Sequence, residues 1–306
     1  MKQLLSKIAL TMLLLSAGSA AAESNASLVS DKYTYAQGGY FDTEIAWRVL
    51  RRSVATVPSD LYRIVAAPFA RPGTTLGYAA LIGGAIAADR PLTTFYQRHI
   101  EAPLDIYAFP QLFKKTAFTK GADGWLVYGS LAHYLGGVAL GNEKSQVAAI
   151  LGIKAMAYSY LFDHLLLKSL FGRRRPKCDL YHDSDPNPTH TSNPHDFSPF
   201  QPIHFRAADG RTSLPSFHLT MYFSLAKVYA DMYDNYWLPY GALALVFASN
   251  IRGHHHWVGD MIAGGIFGTL IGQQVVANYR NRYHRKKPSD FQVIPMSKGI
   301  GFSYRF

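Results

Sequence analysis

The sequence predicts an all-α chain: a helical bundle of about six core helices, closed by a short C-terminal β-hairpin. Three observations carry this reading. Six apolar segments of helical length follow one another at 76–88, 125–141, 147–171, 219–232, 237–248 and 257–277. Pro, Gly and small polar residues punctuate the stretches between them. Strict alternation appears only near the C-terminus, where Ile300, Phe302, Tyr304 and Phe306 interleave with Gly301, Ser303 and Arg305.

Taken in order, residues 1–22 read as a signal peptide. Lys2 and Lys7 precede the apolar core Ile8 to Leu15, and Ala20-Ala21-Ala22 supplies a small-residue cleavage site. That core is too short to span a bilayer well. The protein is therefore expected outside the cytoplasm, in a bacterial cell envelope. Residues 23–74 form a leader with two short amphipathic helices, Thr43 to Val57 and Leu61 to Phe69, the second capped by Ser59-Asp60. They suit either a bilayer surface or the flank of a core. Residues 75–278 hold the bundle, interrupted between Pro91 and Lys120 by an aromatic connector. Residues 279–306 are a basic segment and the hairpin, Phe291 to Met296 against Ile300 to Phe306.

None of the six segments is an uninterrupted run of 18 apolar residues, and the mean hydropathy is −0.03. Membrane spans and a bundle soluble in the periplasm both stay open. The formal charge of +11 fits an anionic membrane surface or a phosphorylated substrate better than nucleic acid, which an exported protein does not meet. One cysteine, Cys178, excludes an intrachain disulfide and reads as incidental.

The chemistry concentrates between Lys168 and Asp260 in three clusters. The first, Lys168-Ser-Leu-Phe-Gly-Arg-Arg-Arg175-Pro176, follows the longest apolar segment. Gly172 can end that helix and Pro176 prevents its resumption, so Lys168 and Arg175 converge from its last turn and the loop beyond. A guanidinium fork and an ammonium are the usual partners of phosphate oxygens. Arg173 and Arg174 read as the positive flank of the helix. The second cluster, Pro215-Ser216-Phe217-His218, opens a helix with Ser216 at the N-cap, and free amides there make an anion site. The third, Ser249-Asn-Ile-Arg252-Gly-His-His-His256-Trp-Val-Gly-Asp260, sets His256 and Asp260 four apart, on one face of a helix start. The carboxylate fixes one ring nitrogen and leaves the other as nucleophile or base. Each cluster alone would be unremarkable capping or helix-flanking polarity.

Together they resemble the signature of the type 2 phosphatidic acid phosphatase and vanadium haloperoxidase superfamily: K-x6-R-P, then P-S-G-H, then S-R-x5-H-x3-D. Lys168, Arg175 and Pro176 match the first part, Pro215, Ser216 and His218 the second, and Ser249, His256 and Asp260 the third. Phe217 stands for the Gly and Asn250 for the Arg. The resemblance covers roughly Leu76 to Ala277 and implies a PAP2-like six-helix core. It implies that His256 attacks phosphorus with Asp260 holding its ring, and that His218 protonates the leaving group. Lys168, Arg175, Ser216 and the amide near Phe217 would hold the phosphate oxygens, with Arg252 a candidate for the work of the missing arginine. No metal and no cofactor is needed for that chemistry.

The expected activity is a phosphatase acting on a lipid phosphate or pyrophosphate at the periplasmic face of the inner membrane. The other readings are a soluble periplasmic acid phosphatase on small phosphomonoesters, a vanadate-dependent haloperoxidase, and a degenerate anion-binding protein. The stretch Lys177 to Leu214, with His182, His190, His195 and His204, reads as a lid whose histidines match no metal-ligand spacing.

Overall fold

The computed structural model describes residues 33–104, 123–203, 205, 211–249, 251, 255–284, 291–296 and 299–304. The signal peptide, Asn250, Arg252 and His204 lie outside the described residues. The chain is helical, as the segmentation predicts. Its elements are α1 (Thr43–Ala55), α2 (Val57–Ala70), α3 (Pro72–Ala87), α4 (Asp89–Tyr96), α5 (Asp123–Ala139), α6 (Glu143–Ser159), α7 (Lys168–Phe171), α8 (Phe217–Tyr233), α9 (Trp237–Ser249) and α10 (Val258–Tyr283). Two π-helical stretches, Gln97–Glu101 and Tyr160–Leu167, extend α4 and join α6 to α7. Strands β1 (Phe291–Met296) and β2 (Gly299–Tyr304) pair antiparallel, with Phe291 opposite Tyr304.

Several boundaries differ from the sequence expectation for physical reasons. The connector after Pro91 is helical as far as Glu101. Pro91 sits in the first turn of α4, where a missing N–H costs nothing. Ser59 and Asp60 do not cap α2: Thr56 holds the N-cap, and Asp60 lies inside the helix. Asp60 is fully buried, ion-paired to Lys154 at 2.6 Å and accepting from Asn278 at 2.6 Å. This cluster ties α2 to α6 and α10. On α1, Arg48 and Arg52 face buried Glu143 at 3.6 and 3.5 Å, and Glu143 also accepts from the Ala36 amide. The basic segment is partly helix too, since α10 continues to Tyr283.

The core sits where α6, α8 and α10 meet. Leu151, Val228 and Val275 are wholly buried there, each stabilising the fold by about 1.5–3 kcal/mol. The packing direction follows from small residues. A Cβ added at Gly264 would meet the Ser216 carbonyl, one at Gly268 the Thr220 carbonyl, and one at Gly272 the Ser224 carbonyl. Positions along α8 and α10 therefore advance together: the two helices run parallel, in van der Waals contact, and both begin at the same end of the bundle, α10 roughly two turns ahead of α8. Against α8, α6 runs the other way, since Gly152 meets Leu225 and Tyr229 while Ser159 meets Thr220 and Ser224. The C-terminal extension of α6 thus arrives at the end of the bundle where α8 and α10 begin.

Among the described residues one continuous helical stretch, Glu143–Phe171, is long and apolar enough by length and composition to cross a membrane, and 44% of its apolar window is buried inside the bundle. The outer helices carry large apolar side chains on their open faces. Leu76 and Leu81 on α3, Leu131 and Leu135 on α5, and Trp237, Leu238 and Leu245 on α9 are all exposed.

Candidate active site

Three chain segments meet at this end of the bundle, and each is there for a local reason. The first is the exit of the long α6–α7 helix. Gly172 caps α7 in the left-handed region at φ 54°, and a Cβ there would lie 1.8 Å from the Ser198 carbonyl, so no other residue fits without displacement. The chain turns at Gly172, and Arg173, Arg174 and Arg175 leave in different directions. Ahead of that turn, the amide of Lys168 bonds the Asp163 carbonyl, an i→i+5 bond of the π stretch. In an α-helix residues five apart point about 140° away from each other. The π turn brings them one above the other, so the buried Asp163 lies beside the buried Lys168. The Thr220 hydroxyl donates to Asp163 Oδ2.

The second segment is the start of α8. Ser216 is its N-cap, as expected, with φ −78° and ψ 105°. The hydroxyl does not close the helix: Ser216 Oγ is buried and has no hydrogen-bond partner among the described residues. The Phe217 ring turns into the core and packs edge-on to His164 and Tyr160. The bulk that replaces the family's glycine therefore points away, and the amide of residue 217 is kept. His218 follows in the first turn, its Nε2 3.2 Å from Asp123 Oδ2.

The third segment is the start of α10. Trp257 is the N-cap and Val258 the first helical residue, so His256 precedes the helix rather than sharing its face with Asp260 as the spacing suggests. The pair still meets: His256 Nδ1 is 3.7 Å from Asp260 Oδ2. His256 Nε2 points to Arg175, whose Nη1 lies at 3.3 Å. Arg175 also donates to the His255 and Thr212 carbonyls at 3.3 and 3.4 Å. Burial pushes the Arg175 guanidinium down from its ordinary range and the Asp260 carboxylate pulls it back, which leaves it charged at any working pH. Ser216 is joined to this segment by its amide, which donates to the Asp260 carbonyl at 3.0 Å.

Arg173 corrects the sequence reading most. It is not a helix flank: its side chain is 0% exposed and lies between Asp89 and Asp260, both also 0%. Nη1 donates to Asp260 at 2.6 Å, Nη2 to Asp89 at 2.7 Å, and Nε and Nη2 to the Pro194 carbonyl at 3.0 and 2.7 Å. The Phe197 and Trp257 rings face the guanidinium. Asp260 also accepts from the Ser213 hydroxyl and the Trp257 amide. Asp89 accepts from the Gly259 amide at 2.6 Å. Burial pushes the Asp89 carboxyl up, and Arg173 and the Gly259 amide pull it back. Both Asp260 oxygens are thus held by donors, Oδ1 by Arg173 and Oδ2 by Ser213 and the Trp257 amide.

The stretch 177–203 is tied down rather than open. Thr191 pairs with Arg175 and Lys177 through the backbone, Phe197 bridges to Arg173, and His190 contacts Asp185 at 2.8 Å and His182 Asp179 at 2.7 Å. It forms one wall of the Arg173 cradle through Pro194. Burial and Asp185 push the Cys178 thiol up, away from the reactive thiolate range. No group of three or more metal-ligating side chains occurs among the described residues.

Of the residues singled out in the sequence, Lys168, Arg175, Ser216, His256 and Asp260 converge here, with His218 in the first turn of α8. Arg252 lies outside the described residues. Asp89, Arg173, Asp163, Thr220 and Asp123 had no signal beyond being charged or polar residues in apolar or helix-flanking sequence.

Two parallel helix N-termini, the buried Lys168 ammonium, the half-buried Arg175 guanidinium, the Ser216 hydroxyl and the His256 imidazole are an arrangement that suits a tetrahedral oxyanion. The fold is a helical bundle, with these groups gathered at one end of it. The sequence model of the PAP2 superfamily matches residues 148–284, consistent with the resemblance carried by the three motif clusters. That span contains all three motif clusters, while Asp89 and Asp123 precede it. Neither the curated proteins nor the solved structures yield a match to the chain.

Proposed function

We propose that this protein hydrolyses a lipid phosphate or lipid pyrophosphate by way of a phosphohistidine on His256, at the outer face of the cytoplasmic membrane. The observation that carries the reading is the contact of His256 Nε2 with Arg175 while Nδ1 faces Asp260. One nitrogen is backed by a carboxylate, and the other is aimed at the cation that would hold a phosphate oxygen. Nε2 attacks phosphorus, the P–O bond to the leaving group breaks, and its electron pair stays on that oxygen, which takes a proton from His218. Water then attacks the phosphohistidine, His218 accepts its proton, and the P–N bond breaks to return the pair to His256 and release phosphate. Lys168, Arg175, the Ser216 hydroxyl and the first amides of α8 bear the charge of the equatorial oxygens in both steps. The work asked of these side chains is positioning and charge compensation.

The lipid part of the reading is supported by the apolar open faces of α3, α5 and α9. Exposed large apolar side chains in such number suit contact with lipid. The test has two arms. Cell envelopes are extracted with alkaline carbonate, and purified protein is assayed on phosphatidic acid in micelles beside p-nitrophenyl phosphate. Retention in the membrane and a clear preference in kcat/KM for the lipid are expected. Release into the soluble fraction with equal or better use of the small ester would overturn the lipid assignment.

A further inference from the structure

His256 is not the only histidine at this site with a carboxylate behind it. Asp123 opens α5, a helix that enters the site from outside the matched PAP2 span. It is 1% exposed, and its Oδ2 lies 3.2 Å from His218 Nε2. Its other oxygen, Oδ1, accepts from the Tyr222 hydroxyl, one turn further along α8 than His218. The carboxylate is thereby clamped against the same helix that carries the histidine. Tyr222 is itself 1% exposed, so the clamp is part of the core, while the His218 side chain keeps 21% of its surface open.

A carboxylate buried to this degree is expensive to hold unless it is hydrogen-bonded and charge-compensated. Tyr222 supplies a neutral donor. The charge partner at hand is the His218 ring when protonated, in a charge-assisted contact. We infer that Asp123 is a positioning residue for the leaving-group step: it orients His218 and compensates the charge of its protonated ring, as Asp260 does for His256. This rests on the reading of His218 as the acid. In the step concerned, the P–O bond breaks, the electron pair passes to the leaving oxygen, and the proton moves from the His218 ring to that oxygen. Neutral His218 is left beside the Asp123 carboxylate, which Tyr222 still holds, ready to accept the proton of the incoming water. The site then has two His–Asp pairs, His256 with Asp260 and His218 with Asp123.

Leaving-group dependence separates this role from a structural one. An alkyl phosphate expels a strongly basic alkoxide and needs the proton, whereas p-nitrophenyl phosphate expels a weak base and needs it less. The experiment measures kcat/KM of the full chain on both esters for wild type, His218→Ala, Asp123→Asn and Tyr222→Phe. Asp123→Asn is expected to lower both values, with the alkyl ester falling at least about tenfold further than the aryl one, within the 100-fold or more that general acid catalysis supplies. Tyr222→Phe, which leaves the carboxylate and removes one donor to it, is expected to show the same asymmetry on a smaller scale. It also serves as the test if Asp123→Asn does not fold. Equal losses on the two esters, or none, in Asp123→Asn or its substitute would overturn the inference while leaving the acid intact. Equal losses in His218→Ala would overturn the role of His218 itself and with it the reading on which the inference rests.

Discussion

Removing Arg173 should cost more than removing any other cation of the site. The guanidinium makes four hydrogen bonds, two to carboxylates at 2.6 and 2.7 Å and two to the Pro194 carbonyl, and no part of the side chain reaches solvent. Arg173→Ala leaves Asp89 and Asp260 buried and uncompensated, at a cost of about 3–5 kcal/mol. For a domain of this size that is on the order of 10 °C in Tm. Asp260 would also lose the donor that fixes Oδ1, and a shift of about 1 Å in a catalytic constellation can cost roughly 100-fold in rate. Arg173→Lys keeps the charge but not the fork, and should fall between. The assay is thermal unfolding in detergent together with kcat/KM on p-nitrophenyl phosphate. A double mutant with Asp89→Ala should lose less stability than the two single losses combined, because both act on one ion pair. An Arg173→Ala protein that unfolds within about 2 °C of wild type and keeps its turnover would refute the reasoning.

Gly268→Ala should destabilise by about 1–3 kcal/mol, since its Cβ would lie 2.3 Å from the Thr220 carbonyl and force α8 from α10; an unchanged Tm would mean the two helices are not held by that contact. Chelator should leave activity intact and vanadate should inhibit as a mimic of the transferring group; loss in chelator restored by a divalent ion would contradict the chemistry derived for His256. Arg252→Ala should lower kcat/KM by about 10-fold or more, with Asn250→Arg restoring much of it, if Arg252 does the work of the missing arginine. A neutral Arg252→Ala, with Asn250→Arg alone raising the rate, would show instead that the pocket is naturally one cation short.

What could be read from the sequence was whatever is local. Helix-length apolar segments, the Gly172 stop, the Ser216 cap and the His256–Asp260 spacing are all properties of a few neighbouring residues, and the helical bundle follows from them. The motif order Lys168, Arg175, Ser216, His218, His256 and Asp260 could be read because three clusters keep register across some ninety residues. What stayed hidden is the layer behind those groups. Arg173 and Arg174 are chemically identical neighbours, and only the turn at Gly172 sends one into a buried cradle and leaves the other at the surface facing Asp196. Asp89 and Asp123 act across gaps of more than eighty residues, for which a sequence offers no period or spacing. Asp163 was masked by helical geometry, because five residues from Lys168 reads as the opposite face until a π turn makes it the same one. His256 was set on the helix by its spacing, but Trp257 takes the N-cap and leaves the histidine one residue outside.

The most direct measurement is acid-labile phosphoenzyme formation, by rapid quench with a phosphate ester labelled at phosphorus. Wild type should show a burst of protein-bound label that is lost in acid and stable in base, as expected of phosphohistidine. His256→Ala should show neither label nor turnover. Asp260→Asn should form the label far more slowly while remaining folded, because only ring orientation and charge are lost. Label or full turnover persisting in His256→Ala would contradict the account.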